Sequence, residues 1–510
     1  MGICFAVGAG MDRLLSDESE SRFSTYVDGL VGALGHADRV GPLRDYCLGL
    51  LVSGERKSVE PMAAVTAPAR VAAQHQSLLH FVGQAPWSDD RVLAQVRELV
   101  LPSIERQGPI EAWIVDDTGF PKKGMHSVGV ARQYCGPLGK QDNCQIAVSL
   151  SLANTHASLP VAYRLYLPEG WASDAVRRKK AGVPDTVGFQ TKIEIALDQI
   201  RAACAAGLPR GAVLMDAGYG NHTELRTAIA ALELSYVAGI LSSTTVWAPG
   251  TGPLPPKPYV RGHGRPAEQL RRDEEHRPVT AKGLAFSLPA EAWQMITWRE
   301  GMNGSLTSRF ARLRIRIAHR DFNRSEPWPE EWLLIEWPDG EKEPTKYWLS
   351  NLPDDIGFAR LVDLAKLRWR IERDYQELKQ ELGLGHYEGR GWRGFHHHAT
   401  LCIAAYGFLI AEQETIPPSG SGPAQKLQKP AIPDGYRPRG AAIATSAPYP
   451  QLDCHPQTTP RPSPRKNAQS MSVLPQIQQT KQNNHDTYDA VRLGLRAALS
   501  LSQNCMVTPR

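Results

Sequence analysis

The sequence predicts an α/β protein, a mixed sheet with helices packed on it, flanked by a helical N-terminal region and a β-rich insertion. Three observations carry this. First, EAWIVDD (111–117), NCQIAVSLSLA (143–153) and LPVAYRLYL (159–167) are strand-like runs separated by turns rich in Gly, Lys and Asn. Second, these consecutive strands give way to helix–strand alternation: TKIEIALDQIRAACAAG, the short apolar run AVLMD (212–216), a helix near 222–232 and the strand SYVAGI. Third, the residues before 110 repeat apolar side chains at spacings of three and four, as in Tyr26, Leu30, Leu34 and in Leu43, Tyr46, Leu50.

Taken in order, residues 20–110 read as a helical region and 111–240 as the first part of the α/β core, in which Gly207 is the natural stop of the helix before AVLMD. Between 241 and 347 the rhythm breaks. PGTGPLPPKPYVRGHGRP is turn-rich, and FARLRIRIAH and EEWLLIEWP alternate as strands, so this block reads as a β-rich insertion. The core is completed over 348–412 by one helix from about Gly357 to Leu382 and a second from Phe395 to about Glu412. From 413 to 510 the chain reads as a Pro-rich basic tail, largely disordered: 13 of the 39 prolines fall between Pro417 and Pro475.

Composition excludes several classes of function. The 510 residues are 42% hydrophobic and 22% charged, an ordinary globular balance, and no apolar run approaches the length of a membrane span. The formal charge is +5, but the tail holds 11 Lys and Arg against 5 Asp and Glu, which leaves the body at −1. Overall charge alone therefore does not make a nucleic-acid binder. The eight cysteines are scattered with no CxxC pair, which predicts a reducing cytoplasm and no zinc site. Gly139-Lys140 lacks the rest of a phosphate loop, and adjacent His396, His397 and His398 point about 100° apart on a helix, so they cannot share one metal.

Two acidic positions stand at the ends of apolar strands: Asp116/Asp117 in WIVDDTGF and Asp216 in VLMDAGYG. Carboxylates there face the crevice where α/β sheets do their chemistry, and Ala217, Gly218 and Gly220 allow close backbone approach. The third piece is KLRWRIERDYQELKQELG. Arg368, Glu372, Tyr375 and Lys379 fall on one helical stripe, next to the apolar stripe Ile371, Leu378, Leu382. Three carboxylates brought together repel unless a hard cation joins them, and oxygen ligands suit Mg²⁺ or Mn²⁺. Such ions support phosphodiester displacement, with Arg368, Lys379, Lys122 and Lys123 placed to hold substrate phosphates.

At these residues the sequence resembles the DDE-type transposases of bacterial insertion sequences, DDE superfamily endonucleases built on an RNase H-like fold. IVDDTGF is similar to the family's first-strand Asp motif, which favours Asp116 with Asp117 as the close alternative, and LMDAGYG resembles the second-Asp motif. RWRIERDYQELK is similar to the Tyr-(2)-Arg-(3)-Glu-(6)-Lys signature at Arg368, Glu372 and Lys379, with Ala365 where the Tyr would stand. The β-rich block before Glu372 also matches the family's habit, and the resemblance covers roughly 20 to 440.

The resemblance implies an RNase H-like mixed sheet and Mg²⁺ (or Mn²⁺) held by Asp116, Asp216 and Glu372. It also implies DNA strand cleavage and strand transfer at insertion-sequence ends, in cut-and-paste transposition. The DNA partners would be terminal inverted repeats, contacted by the helices before 110, and target DNA, with a homodimer synapsing two ends. The alternative is a transposase-derived protein that binds repeat DNA without cutting. A weaker signal, VRGHGRP (260–266), is similar to the core of a minor-groove AT-hook.

Overall fold

The computed structural model describes residues 4–415 apart from 53, 55, 259–266 and 302–303. The expectations for the tail beyond 415 and for VRGHGRP fall outside the described residues. The helical expectation before 110 resolves into α1 (Cys4–Val31), α2 (Val40–Leu51), α3 (Val59–Thr66), α4 (Val71–Gly83) and α5 (Asp89–Gln107). Ser88 opens α5 by accepting from Arg91 N, with Asp89 and Asp90 in the first turn where the helix dipole favours them.

The core sheet is built from β1 (Ala112–Pro121), β2 (Ala131–Cys135), β3 (Lys140–Ala153), β4 (Ser158–Leu165), β5 (Ala212–Met215) and β6 (Tyr236–Ile240). Its spatial order is β4-β3-β1-β5-β6; β3 runs antiparallel to β1, while β5 and β6 run parallel to it. This is the RNase H-like order. Crossover helices lie between the strands: α6 (Glu169–Ala172), α7 (Ala175–Ala181), α8 (Lys192–Ala205), α9 (Ala217–Gly220) and α10 (Thr223–Ala231). A capping box at Thr191 and Glu194 starts α8.

The β-rich block does not stand apart from this sheet. It comprises β7 (Thr245–Trp247), β8 (Val279–Thr280), α11 (Ala281–Ser287), β9 (Gln294–Gly301), β10 (Gly304–Ile317), β11 (Glu330–Trp337) and β12 (Lys346–Ser350). β12 pairs antiparallel with β6 through Tyr347–Ile240, so the insertion prolongs the core into one 12-stranded sheet.

The last helices depart from the expected single run over 357–382. Helix α12 (Phe358–Leu367) stops at Arg368, α13 (Trp369–Gln376) follows, and residues Glu377–Glu381 form a π-helical turn, a distortion frequent at functional sites. The final helix α14 begins at Trp392, ahead of the expected Phe395, and runs to Thr415.

Alternation along β1 separates two cores. Trp113 and Val115 join the larger cluster with α8, α14 and the N-terminal helices, whereas Ala112 and Ile114 join a second cluster under α12. The N-terminal helices are tied to α14 by the bidentate pair Arg22–Glu412, at 2.7 and 2.8 Å. They are tied to the sheet by Asn154, whose amide donates to Ile104 O and Gly108 O at 3.0 and 2.8 Å.

The three consecutive histidines of α14 go to three different places, as their 100° spacing requires. The His396 ring contacts Trp392 O and Leu165 N, His397 stacks on Trp87, and His398 lies between Tyr46 Oη (2.9 Å) and Gly383 O (3.0 Å). Burial pushes His398 down to about 4. A folded value below the unfolded one, near 6.5, means the buried neutral ring stabilises the fold above pH ~6.5, and that contribution fades as pH falls. Wild type should therefore lose about 2 kcal/mol relative to His398→Gln between pH 7 and 5. Urea midpoints of both proteins at each pH measure this, and a pH-independent difference between them would contradict it.

Candidate active site

The parallel register pairs Ile114 of β1 with Leu214 of β5. Two residues further on each strand come Asp116 and Asp216, so two carboxylates stand side by side on neighbouring strands, whose axes are about 4.8 Å apart. The sequence reading placed both acids at strand ends; for Asp116 and Asp117 that is corrected, because pairing with β3 carries β1 on to Pro121. Asp216 does follow its strand directly. It caps α9, its Oδ1 accepting from Gly218 N (2.9 Å) and Tyr219 N (3.3 Å).

Period-two geometry sends the two adjacent aspartates to opposite faces. Asp116 shares the face of Ala112 and Ile114, and its Oδ2 accepts from Arg368 Nη1 at 2.9 Å. Asp117 turns to the α8 side, where its Oδ2 meets Lys192 Nζ at 2.8 Å and Tyr219 Oη at 3.0 Å. The carboxylate facing the Glu372 helix is thus Asp116.

Arg368 occupies the break between α12 and α13, which frees its side chain to reach both strand and helix. Its Nη2 lies 3.3 Å from Glu372 Oε1, so one guanidinium bridges Asp116 and Glu372. Asp216 is the third acid whose charge acts on Arg368; although burial opposes the cation, Asp116, Asp216 and Glu372 together raise its pKa. Burial, and then the neighbouring Asp216 and Asp117, push Asp116 up to about 7 against the pull of Arg368. Tyr375 lines the same face, its hydroxyl 2.8 Å from Ser149 Oγ on the residue paired with Asp116.

Among the described residues, no three His, Cys, Asp or Glu side chains already stand at metal-ligating spacing. Glu372 remains 69% exposed, whereas Asp116 is 16% exposed. The chemistry of the donor set nevertheless fits a hard divalent ion. Three carboxylates converge electrostatically on a single positive centre, here the guanidinium, and burial, with the Asp216 charge adding to it, leaves Asp116 short of a counter-charge that a divalent ion would supply.

The lysines sit differently. Lys379 Nζ donates to Gly119 O (2.9 Å) and Lys122 Nζ to Tyr387 O (2.8 Å), while Lys123 is exposed. Each bonded ammonium keeps two further donors for a substrate oxygen. Sequence reasoning missed Lys192, Tyr219 and Ser149. Tyr219 stands inside the LMDAGYG motif and was legible there, but nothing local marks Lys192 as a partner of Asp117.

A β4-β3-β1-β5-β6 sheet, with one acid on β1, another just after the neighbouring β5, and a Glu-bearing helix packed beside them, is the arrangement of the RNase H-like fold class. The chain belongs to the DDE superfamily endonucleases, whose family model matches residues 29–305. It is also similar, at 31% identity over 169 residues, to a probable transposase for insertion sequence element IS701 from Microchaete diplosiphon. That match covers 33% of this chain and 41% of the relative, so the chain spans less than half of that protein's length. No described helix is long and apolar enough to cross a membrane.

Proposed function

We propose that the chain is an insertion-sequence transposase that cleaves DNA strands at the element's ends and transfers them to target DNA. The observation that carries this reading is the meeting of Asp116, Asp216 and Glu372 around one positive charge at the central strands of the sheet. Asp116, Asp216 and Glu372 would hold Mg²⁺ or Mn²⁺. When bound, such an ion activates a water or 3′-hydroxyl and stabilises the departing oxygen of the phosphodiester.

The chain's own residues do the rest. The planar fork of Arg368 suits a phosphate as well as it suits a carboxylate, so an arriving DNA strand offers it an alternative partner. Lys122, Lys123 and Lys379 would neutralise the flanking phosphates. Asp117, paired to Lys192 and Tyr219, steadies the turn that aims Asp216. The helices of 20–110 would contact the terminal inverted repeats, two copies of the chain would synapse two ends, and the work would take place in the bacterial cytoplasm.

The test is cleavage of labelled DNA carrying the element's ends, with Mg²⁺, by wild type and Glu372→Gln. Nicks at the end boundary made by wild type alone are expected. Binding of the ends by both proteins with cutting by neither would replace this reading with a non-catalytic repeat-binding protein.

A further inference from the structure

Helix α7 carries four consecutive cations, Arg177, Arg178, Lys179 and Lys180, and among the described residues none is in an ion pair with a carboxylate. Two of the four are structural. The Arg177 guanidinium lies 3.8 Å over the Trp171 ring, and Arg178 donates to Ala172 O and Pro184 O at 3.3 and 3.0 Å. With Asp174 capping the start and Gly182 closing the end in a left-handed turn, these contacts fix the helix. Lys179 and Lys180 are left exposed, with no hydrogen bond or ion pair to a described residue.

The helix is anchored to the segments beyond the Asp116 strand. Trp171 Nε1 donates to Val130 O (2.8 Å), and Val128 N donates to Arg390 O (3.1 Å). A Cβ built on Gly391 would lie 3.5 Å from Ala181 O, so the end of α7 abuts the 390–391 backbone. That backbone carries Arg390, exposed and without a described partner, and the β1–β2 connection carries Lys123, in the same state. Lys122 links the two segments through Tyr387 O. Four exposed cations without a described partner are therefore carried by three segments that bond or abut one another next to β1.

Basic residues in a last helical turn complement the helix dipole, but that accounts for α7 alone and not for Lys123 and Arg390 on other segments. The nearby acids do not quench the strip: Asp174 is spent on the helix cap and Glu388 pairs with Arg56, leaving Glu169 and Asp185 at its margin. We infer that Lys123, Lys179, Lys180 and Arg390 form a track for the phosphodiester backbone of duplex DNA, leading away from the carboxylates. The inference rests on the reading that the substrate is DNA, and it adds where the duplex lies. Contacts of this kind hold and orient DNA without reading its sequence.

Backbone contacts have a signature in salt. Each neutralised phosphate contributes about 0.9 to the fall of log affinity with log salt. The experiment is fluorescence anisotropy of a 30-bp duplex of arbitrary sequence with the full chain, over about 50 to 300 mM salt. Lys179→Ala/Lys180→Ala should flatten the slope by about 1.8 and weaken binding roughly 10–100-fold near 0.1 M salt. Lys123→Ala/Arg390→Ala should do the same, and the loss should be equal for a second, unrelated duplex. The control, Lys342→Ala/Lys346→Ala in the exposed turn before β12 and its first residue, should leave the slope in place. A slope unchanged in both track variants, or lowered equally by the control, overturns the track while leaving the DNA reading intact. Failure of wild type to bind any duplex overturns both.

Discussion

Asp116→Asn is expected to lower strand cleavage roughly 10³-fold or more, about 4 kcal/mol of transition-state stabilisation, while Asp117→Asn costs about 10–100-fold. The two residues are adjacent in sequence and carry the same group, so the difference comes from strand geometry alone. Asp116 faces Arg368 and, through it, Glu372; its neutralisation removes one of three negative charges from the place where a divalent ion would sit. Asp117 faces away, already matched by Lys192 and Tyr219. Its loss reaches the site only indirectly, because Tyr219 N is one of the two donors that hold Asp216 Oδ1. Initial nicking rates at saturating Mg²⁺, with DNA binding measured alongside, separate the two. A deeper loss in Asp117→Asn than in Asp116→Asn would reverse the assignment of the faces.

The sequence carried the central strands plainly, because β1, β3, β4, β5 and β6 are apolar runs long enough to stand out and are separated by turn residues. The helix with Arg368 and Glu372 was equally visible through its apolar stripe. What was not visible follows from non-local pairing. Nothing in KYWLS announces that β12 will lie against YVAGI more than 100 residues earlier, so the insertion read as a separate block instead of a continuation of the sheet. The same holds for Asp116 and Asp117. Alternation says they face opposite ways, but which face receives the Glu372 helix is decided only when Ile114 and Leu214 pack under Leu361 and Ile371. The interruption of the helix at Arg368 has no local breaker residue, and it is this interruption that lets one side chain bridge strand and helix.

Gly220→Ala is expected to destabilise the fold by about 3 kcal/mol or more, and to lower cleavage with it, although residue 220 bonds no carboxylate of the site. A Cβ at Gly220 would fall inside the van der Waals envelope of Gly239 O and 3.0 Å from the Ala238 carbonyl carbon. These are main-chain atoms of β6, which is paired on both sides, with β5 and with β12, so they cannot rotate aside as a side-chain end would. Gly239 repeats the constraint from the other direction, since its own Cβ would lie 3.0 Å from Ala217 N and 3.1 Å from Asp216 C. The two glycines thus let α9 settle onto the sheet, and Asp216 caps that helix. Gly220 N bonds Asp216 O at 2.6 Å, and Gly220 O accepts from the buried Arg226, so the residue is held at both ends and has little room to yield. Relief of the clash would have to lift α9 from β6, and the carboxylate would move with it. Gly188→Ala, with nothing within 4 Å of the added carbon, should stay within about 0.5 kcal/mol of wild type. Urea midpoints and nicking rates of the two variants are the measurement. Near-equal stability of both would mean that α9 and β6 separate at little cost, and that the close approach of Gly220 and Gly239 does not set the position of Asp216.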